Sequence, residues 1–143
     1  MSQLFLFLHI LTLSFVIWNI VCADHLGWNW VRGKIPILDK RSVEQYHRRV
    51  WVGLSLMIIT GVCLFWPLRE YLLERLQFYI KMTFILVLII NGFAIGKLQR
   101  IAETKTFKSL SLKEKTPLFV SGTLSTIAWL GTILGGWYLI PNY

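Results

Sequence analysis

Four stretches of this chain are long, apolar and almost free of charge, and nothing else about it constrains the fold so tightly. They run from Leu4 to Ala23, Val50 to Leu68, Leu76 to Gly96 and Pro117 to Ile140, and Lys81 is the single formal charge among them. A helix rises about 1.5 Å per residue, so roughly 20 residues cross about 30 Å of hydrocarbon with every backbone N–H and C=O bonded inside the helix. The expected fold is an all-α integral membrane protein: a four-transmembrane-helix, up-down-up-down bundle that forms a single membrane domain over residues 1–143. Composition agrees, because 55% of the 143 residues are hydrophobic and only 15% are charged, too few charges to cover a soluble globule. A soluble enzyme, a disordered chain and a nucleic-acid-binding module are set aside, although the net charge of +8 would otherwise invite the last.

In a membrane protein basic residues report topology before they report partners. The segment 24–49 carries six Lys/Arg against three Asp/Glu, and the segment 97–116 carries six against two. The link from Pro67 to Arg75 carries two of each. The two basic loops fall on the same face of an up-down-up-down chain, and the positive-inside rule makes that face cytoplasmic. Both termini are then expected outside. Anionic lipid headgroups would meet these loops in any case.

Val21-Cys22-Ala23 offers small residues where a signal peptidase would cut, but no Lys or Arg precedes the apolar run, so the first stretch reads as a mature helix. Cys22 and Cys63 fall about 20 Å apart along the membrane normal by helix rise, which predicts no disulfide. Trp66-Pro67 predicts the end of the second helix, and the short link that follows predicts an antiparallel hairpin. Of the two basic loops, the first holds Trp28, Trp30 and several aliphatic residues and is expected to pack against the helices or the interface. The second, around Arg100–Thr116, is expected to be solvated or to form a short interfacial helix. Gly92 and Gly96, Gly131 and Gly135, and the ridge Ser121, Ser125, Ala128 and Thr132 predict close helix contacts, either internal or between copies.

Chemistry has to come from polar groups at membrane depth, because they are costly to insert. The first helix offers His9, Thr12 and Asn19, with His9 and Asn19 about 80° apart on one flank. The third offers Lys81, with Asn91 on the same flank. His9 is expected about 8 Å inside the outer end of the first helix and Lys81 about 7 Å inside the outer end of the third. An imidazole and an ammonium at one level suit a ligand that carries both a metal and carboxylates, and haem is such a ligand: the imidazole binds iron and the ammonium offsets a propionate. The alternatives are an interhelical hydrogen bond for His9 and a snorkelling side chain for Lys81.

A second cluster brackets the first basic loop: Asp24, His25, Tyr46, His47, Arg48 and Arg49. His25 ends the first apolar stretch and His47 precedes the second, so the pair could share one metal or one haem, with Arg48 and Arg49 at the propionates. Histidines at helix ends also occur simply as interfacial residues.

With Leu8-His9-Ile10 early in the first helix, Trp18 further along it, and Lys81 early in the third, the chain resembles the HemJ-type protoporphyrinogen oxidases and their CopD-like relatives in layout. That resemblance implies a small haem-b-associated bundle in a bacterial inner membrane, in which His9 and Lys81 are functional. Tyr46-His47 stands away from where that family carries a Tyr-His pattern. Two expectations follow. One is a haem-b-binding redox protein that oxidises a porphyrinogen or passes electrons within the membrane, with His9 or His47 as the metal ligand and a tetrapyrrole as partner. The other is a non-catalytic membrane subunit or small carrier, in a homo-oligomer or larger complex, whose histidines only pack.

Overall fold

A computed structural model describes residues 2–140, with side chains from Gln3 onward; the outermost positions of the expected domain, Met1 and 141–143, lie outside them. The described residues form four helices: α1 (Ser2–Val31), α2 (Lys40–Leu73), α3 (Leu76–Thr104) and α4 (Leu112–Tyr138), with a single 3₁₀ turn at Phe107–Ser109. All four are long and apolar enough to cross a membrane. The fold is therefore the all-α, four-helix membrane class expected from the apolar stretches.

The helices overrun those stretches. α1 has 30 residues and α2 has 34, or about 45 and 51 Å of rise, against roughly 40–45 Å for a bilayer with its headgroups. Hydropathy changes at Ala23 and Val50, but backbone hydrogen bonding does not: no proline falls in 24–31 or 40–49, and Gly27 and Asn29 are carried inside α1. His25 consequently lies within α1 and His47 within α2, which corrects their expected positions at helix ends. The first loop shrinks to 32–39. α4 likewise starts at Leu112 rather than at Pro117.

Pro67 does not end α2; it lies inside it. The ring removes one N–H, leaving the Cys63 carbonyl without its usual partner. The helix continues for six residues beyond it to Leu73, with Leu72 buried in its last turn. Pro117 is accommodated similarly near the start of α4.

Helix ends are set by local chemistry. α1 closes in a Schellman motif: Gly33 N–H donates to Trp30 O at 3.0 Å and Lys34 N–H to Asn29 O at 2.9 Å, with Gly33 at φ 74°, a left-handed conformation that a β-carbon would strain. Asp39 caps α2 through Oδ2, which accepts the Ser42 N–H at 2.9 Å and the Ser42 hydroxyl at 2.8 Å. Ser111 and Glu114 cap α4, with Glu114 Oε2 accepting the Ser111 N–H at 3.0 Å.

The chain divides into two compact units. The first holds α1, α2 as far as Leu68, and Ile101–Ser109. In it α1 and α2 approach closely at Gly53, where a β-carbon would collide with the Val16 side chain; Val16 is fully buried. Seven residues back along α1 and seven forward along α2, His9 meets Thr60, so the two helices are antiparallel. Trp30 is buried in the same unit. Its indole N–H donates to Lys105 O at 3.1 Å, and its ring meets Phe107 edge-on at 5.3 Å. The loop after α3 is thus anchored by Trp30 at its start, while Thr104–Thr106, Lys108 and Ser109 remain exposed, and of the two tryptophans read in the first basic segment Trp30 is buried and Trp28 exposed.

The second unit holds Arg69–Arg100 and the chain from Leu110 onward. α3 and α4 are antiparallel within it: Asn91 pairs with Ser121, Phe84 covers Gly131, and Lys81 lies against Gly135. Ser121, Ala128, Thr132 and Gly135 are buried in a row. The small ridge read from the sequence therefore serves internal packing, since a β-carbon on Gly131 would run into the Phe84 ring and one on Gly135 would come within 3.1 Å of Lys81 Cβ.

Candidate functional site

α1 presents His9 on the flank that faces α2. The imidazole Nδ1 lies 2.7 Å from Thr60 Oγ1, and the Thr60 hydroxyl is also 2.9 Å from Leu56 O and 3.2 Å from Met57 O. A hydroxyl has one proton. When it goes to the backbone carbonyls one turn back, His9 must donate through Nδ1, and the neutral ring then carries its lone pair on Nε2. This is the tautomer a metal-binding histidine needs, held by a second residue that is not itself a ligand. Gly61 stands beside the ring, with His9 Cε1 3.7 Å from the position a β-carbon would take there. Thr12, the next polar residue along α1, does not serve His9 and donates to Leu8 O at 2.8 Å.

Thr60 was the residue that sequence reading missed. It and Ser55 are the hydroxyl side chains of the second apolar stretch, and pairing α1 against α2 in antiparallel register brings Thr60, not Ser55, to His9. Asn19, on the same flank of α1, is buried and donates through Nδ2 to Phe15 O at 2.8 Å. It satisfies its own helix rather than adding to the His9 pair.

Lys81 belongs to the second unit. Its stem runs along Gly135 and its Nζ reaches within 3.2 Å of the place a β-carbon would occupy on Gly136. Two adjacent glycines on α4 make room for the ammonium at membrane depth. Ten residues along α3, Asn91 and Ser121 exchange two hydrogen bonds, Asn91 Nδ2 to Ser121 O at 2.9 Å and Ser121 Oγ to Asn91 Oδ1 at 2.8 Å, both buried. Both residues stood out in the sequence for size or polarity, and only the fold shows them as a pair.

The second cluster is more dispersed in character. His25 and Asp24 are exposed on α1. His47 is half-buried on α2 and accepts the Trp51 indole N–H at Nε2, 3.0 Å away. That bond occupies the Nε2 lone pair, so a metal at this nitrogen would have to displace the indole, and in the neutral ring the proton is on Nδ1. The Arg49 guanidinium lies 5.9 Å over the Tyr46 ring, and Arg48 is exposed. Among the described residues no three His, Cys, Asp or Glu side chains gather as a metal site, and Cys22 and Cys63 are free thiols.

Comparison of the chain with known protein families, with curated proteins and with solved structures finds no match. Its chemistry rests on the geometry above.

Proposed function

We propose that this small integral membrane protein binds haem b through His9 and works as a membrane redox protein, in porphyrinogen oxidation or in electron transfer. The observation that carries the reading is the His9–Thr60 contact at 2.7 Å: an imidazole oriented at Nδ1 by a neighbouring hydroxyl is the kind of ligand that haem iron takes. Haem would supply the electron chemistry, and this chain the binding, the ring orientation and a water-poor setting. His9 is preferred to His47, because His9 is hydrogen-bonded through the nitrogen that need not coordinate, whereas the His47 Nε2 accepts from Trp51. The layout shared with HemJ-type and CopD-like proteins supports the same choice. We also propose that both basic segments face the cytoplasm, as twelve of the fifteen Lys/Arg lie in them.

The test is colour. The detergent-purified protein should show a haem absorption band that sharpens on reduction; His9→Ala should abolish it and His25→Ala should leave it. Loss with His47→Ala but survival with His9→Ala would transfer the ligand to α2. One observation favours a second reading, a non-catalytic membrane subunit: the His9–Thr60 bond is by itself an adequate interhelical tie, worth about 0.6 to 1.7 kcal/mol in a membrane bundle. A colourless protein that takes up no added haem selects it.

A further inference from the structure

The two turns of the first unit, at 32–39 and 105–109, are fastened together. Leu38 N–H donates to Ala102 O at 2.9 Å and the Trp30 indole to Lys105 O at 3.1 Å, with Phe107 packed edge-on against Trp30. This fastening collects cations from distant parts of the sequence. Arg32 and Lys34 flank Gly33, and Lys108 Cε lies 3.9 Å from the position a β-carbon would take on Gly33. All three are exposed.

Among the described residues none of these three cations is in an ion pair. The Asn29 and Trp30 carbonyls at the end of α1 are already bonded to the Lys34 and Gly33 N–H groups, and the nearby Asp39 carboxylate is taken up by Ser42. The surroundings are apolar and also exposed: Trp28, Pro36 and Ile37. The Arg32 guanidinium sits 5.7 Å over the Trp28 ring. Because both turns join helices that span a membrane, the patch stands at a bilayer face. Cations beside an exposed tryptophan and aliphatic side chains match a partner with an anionic head and a hydrocarbon body. A free anion would use the charges alone, whereas a lipid uses both features.

We propose that this patch is a headgroup site for an anionic glycerophospholipid, with Arg32, Lys34 and Lys108 at the phosphate and Trp28 and Ile37 along the glycerol and upper acyl chains. The site is independent of haem. The experiment is lipid titration of the full chain in detergent, read by native mass spectrometry, with phosphatidylglycerol, phosphatidylcholine and inorganic phosphate as probes. Phosphatidylglycerol should bind in preference to phosphatidylcholine and weaken as salt rises. Arg32→Gln/Lys108→Gln should weaken it roughly twenty-five-fold, about fivefold per charge, while Arg69→Gln/Arg75→Gln, which removes the same charge elsewhere, should leave it unchanged. Equal losses in the two double variants, no preference between the lipids, or binding insensitive to salt would overturn the proposal. Displacement of the lipid by millimolar inorganic phosphate would instead make the patch a free-anion site. If Arg32→Gln/Lys108→Gln fails to fold, Lys34→Gln at the exposed turn should by itself weaken phosphatidylglycerol binding about fivefold, and no loss there would overturn the proposal.

Discussion

Thr60 has a role at the scale of a single residue that follows from its one proton. Its hydroxyl ties the α2 backbone to His9, so Thr60→Val removes the acceptor that holds the imidazole without removing the imidazole. Haem affinity is expected to fall about 10- to 100-fold, the usual effect of losing a group that orients a metal-binding histidine, and Thr60→Ser should restore most of it. A haem titration of the three proteins measures this; unchanged affinity in Thr60→Val would leave His9 without its proposed orienting partner. Asp39 offers a second residue-scale test. The Ser42 hydroxyl, then the Ser42 N–H, hold its carboxyl below the usual carboxylate range. A carboxyl depressed in the folded state stabilises fully above its unfolded pKa of about 3.9, and the contribution is lost as pH falls through the lower folded value. The Ser42 amide resonance should therefore titrate with a midpoint below pH 3.9, and the transition should vanish in Asp39→Asn. A midpoint at or above the ordinary carboxylate value would show that the cap is not formed in solution.

The helices are held by few but directional contacts. In lipid there is no gain from moving apolar surface out of water, so close approach at glycines and buried hydrogen bonds decide which faces meet. The α3–α4 pair shows both, with Gly131 under Phe84 and the Asn91–Ser121 exchange. Its two bonds are unequal in what a mutation removes. Asn91→Ala deletes both, whereas Ser121→Ala deletes only the bond from Oγ, because the other is accepted by the backbone carbonyl. Asn91→Ala should destabilise more, and the double variant should lose less than the sum of the singles, with a coupling of about 0.6 to 1.7 kcal/mol. Unfolding in mixed micelles along the full double-mutant cycle gives these values, and strict additivity would mean that the pair does not form.

For the whole molecule the governing facts are apolar exposure and the placement of charge. The most apolar stretches of the four helices bury only between 11% and 28% of their residues within the chain, and side chains such as Trp18 and Phe93 remain well exposed, as lipid-facing surface requires. Basic residues concentrate in 24–49 and 97–116, in the turns that join α1 to α2 and α3 to α4 and in the helix ends beside them. If these face the cytoplasm, a reporter in the variant Lys105→Cys, with Cys22 and Cys63 replaced by alanine, should resist an impermeant thiol reagent in intact cells and react once the membrane is opened. Labelling in intact cells would reverse the orientation.

The class of fold was legible in the sequence, because the need to bond every backbone group in hydrocarbon leaves a long apolar run little choice but a helix. So were the candidates: His9, Lys81, Asn91 and the glycines stand out where polar or small residues are rare. Helix ends were less legible. Hydropathy marks where lipid stops, but a helix stops where a cap forms, at Gly33, Asp39 and Ser111, and Pro67 interrupts a bond without interrupting α2. Partnership was not legible at all. That Thr60 rather than Thr12 serves His9, that Trp51 occupies His47, and that Lys108 comes to Gly33 depend on register and on contacts between residues 51 and 75 positions apart as well as on neighbours four apart. Sequence fixes which groups exist and roughly how deep they lie, while the antiparallel packing of one helix on another decides which of them touch.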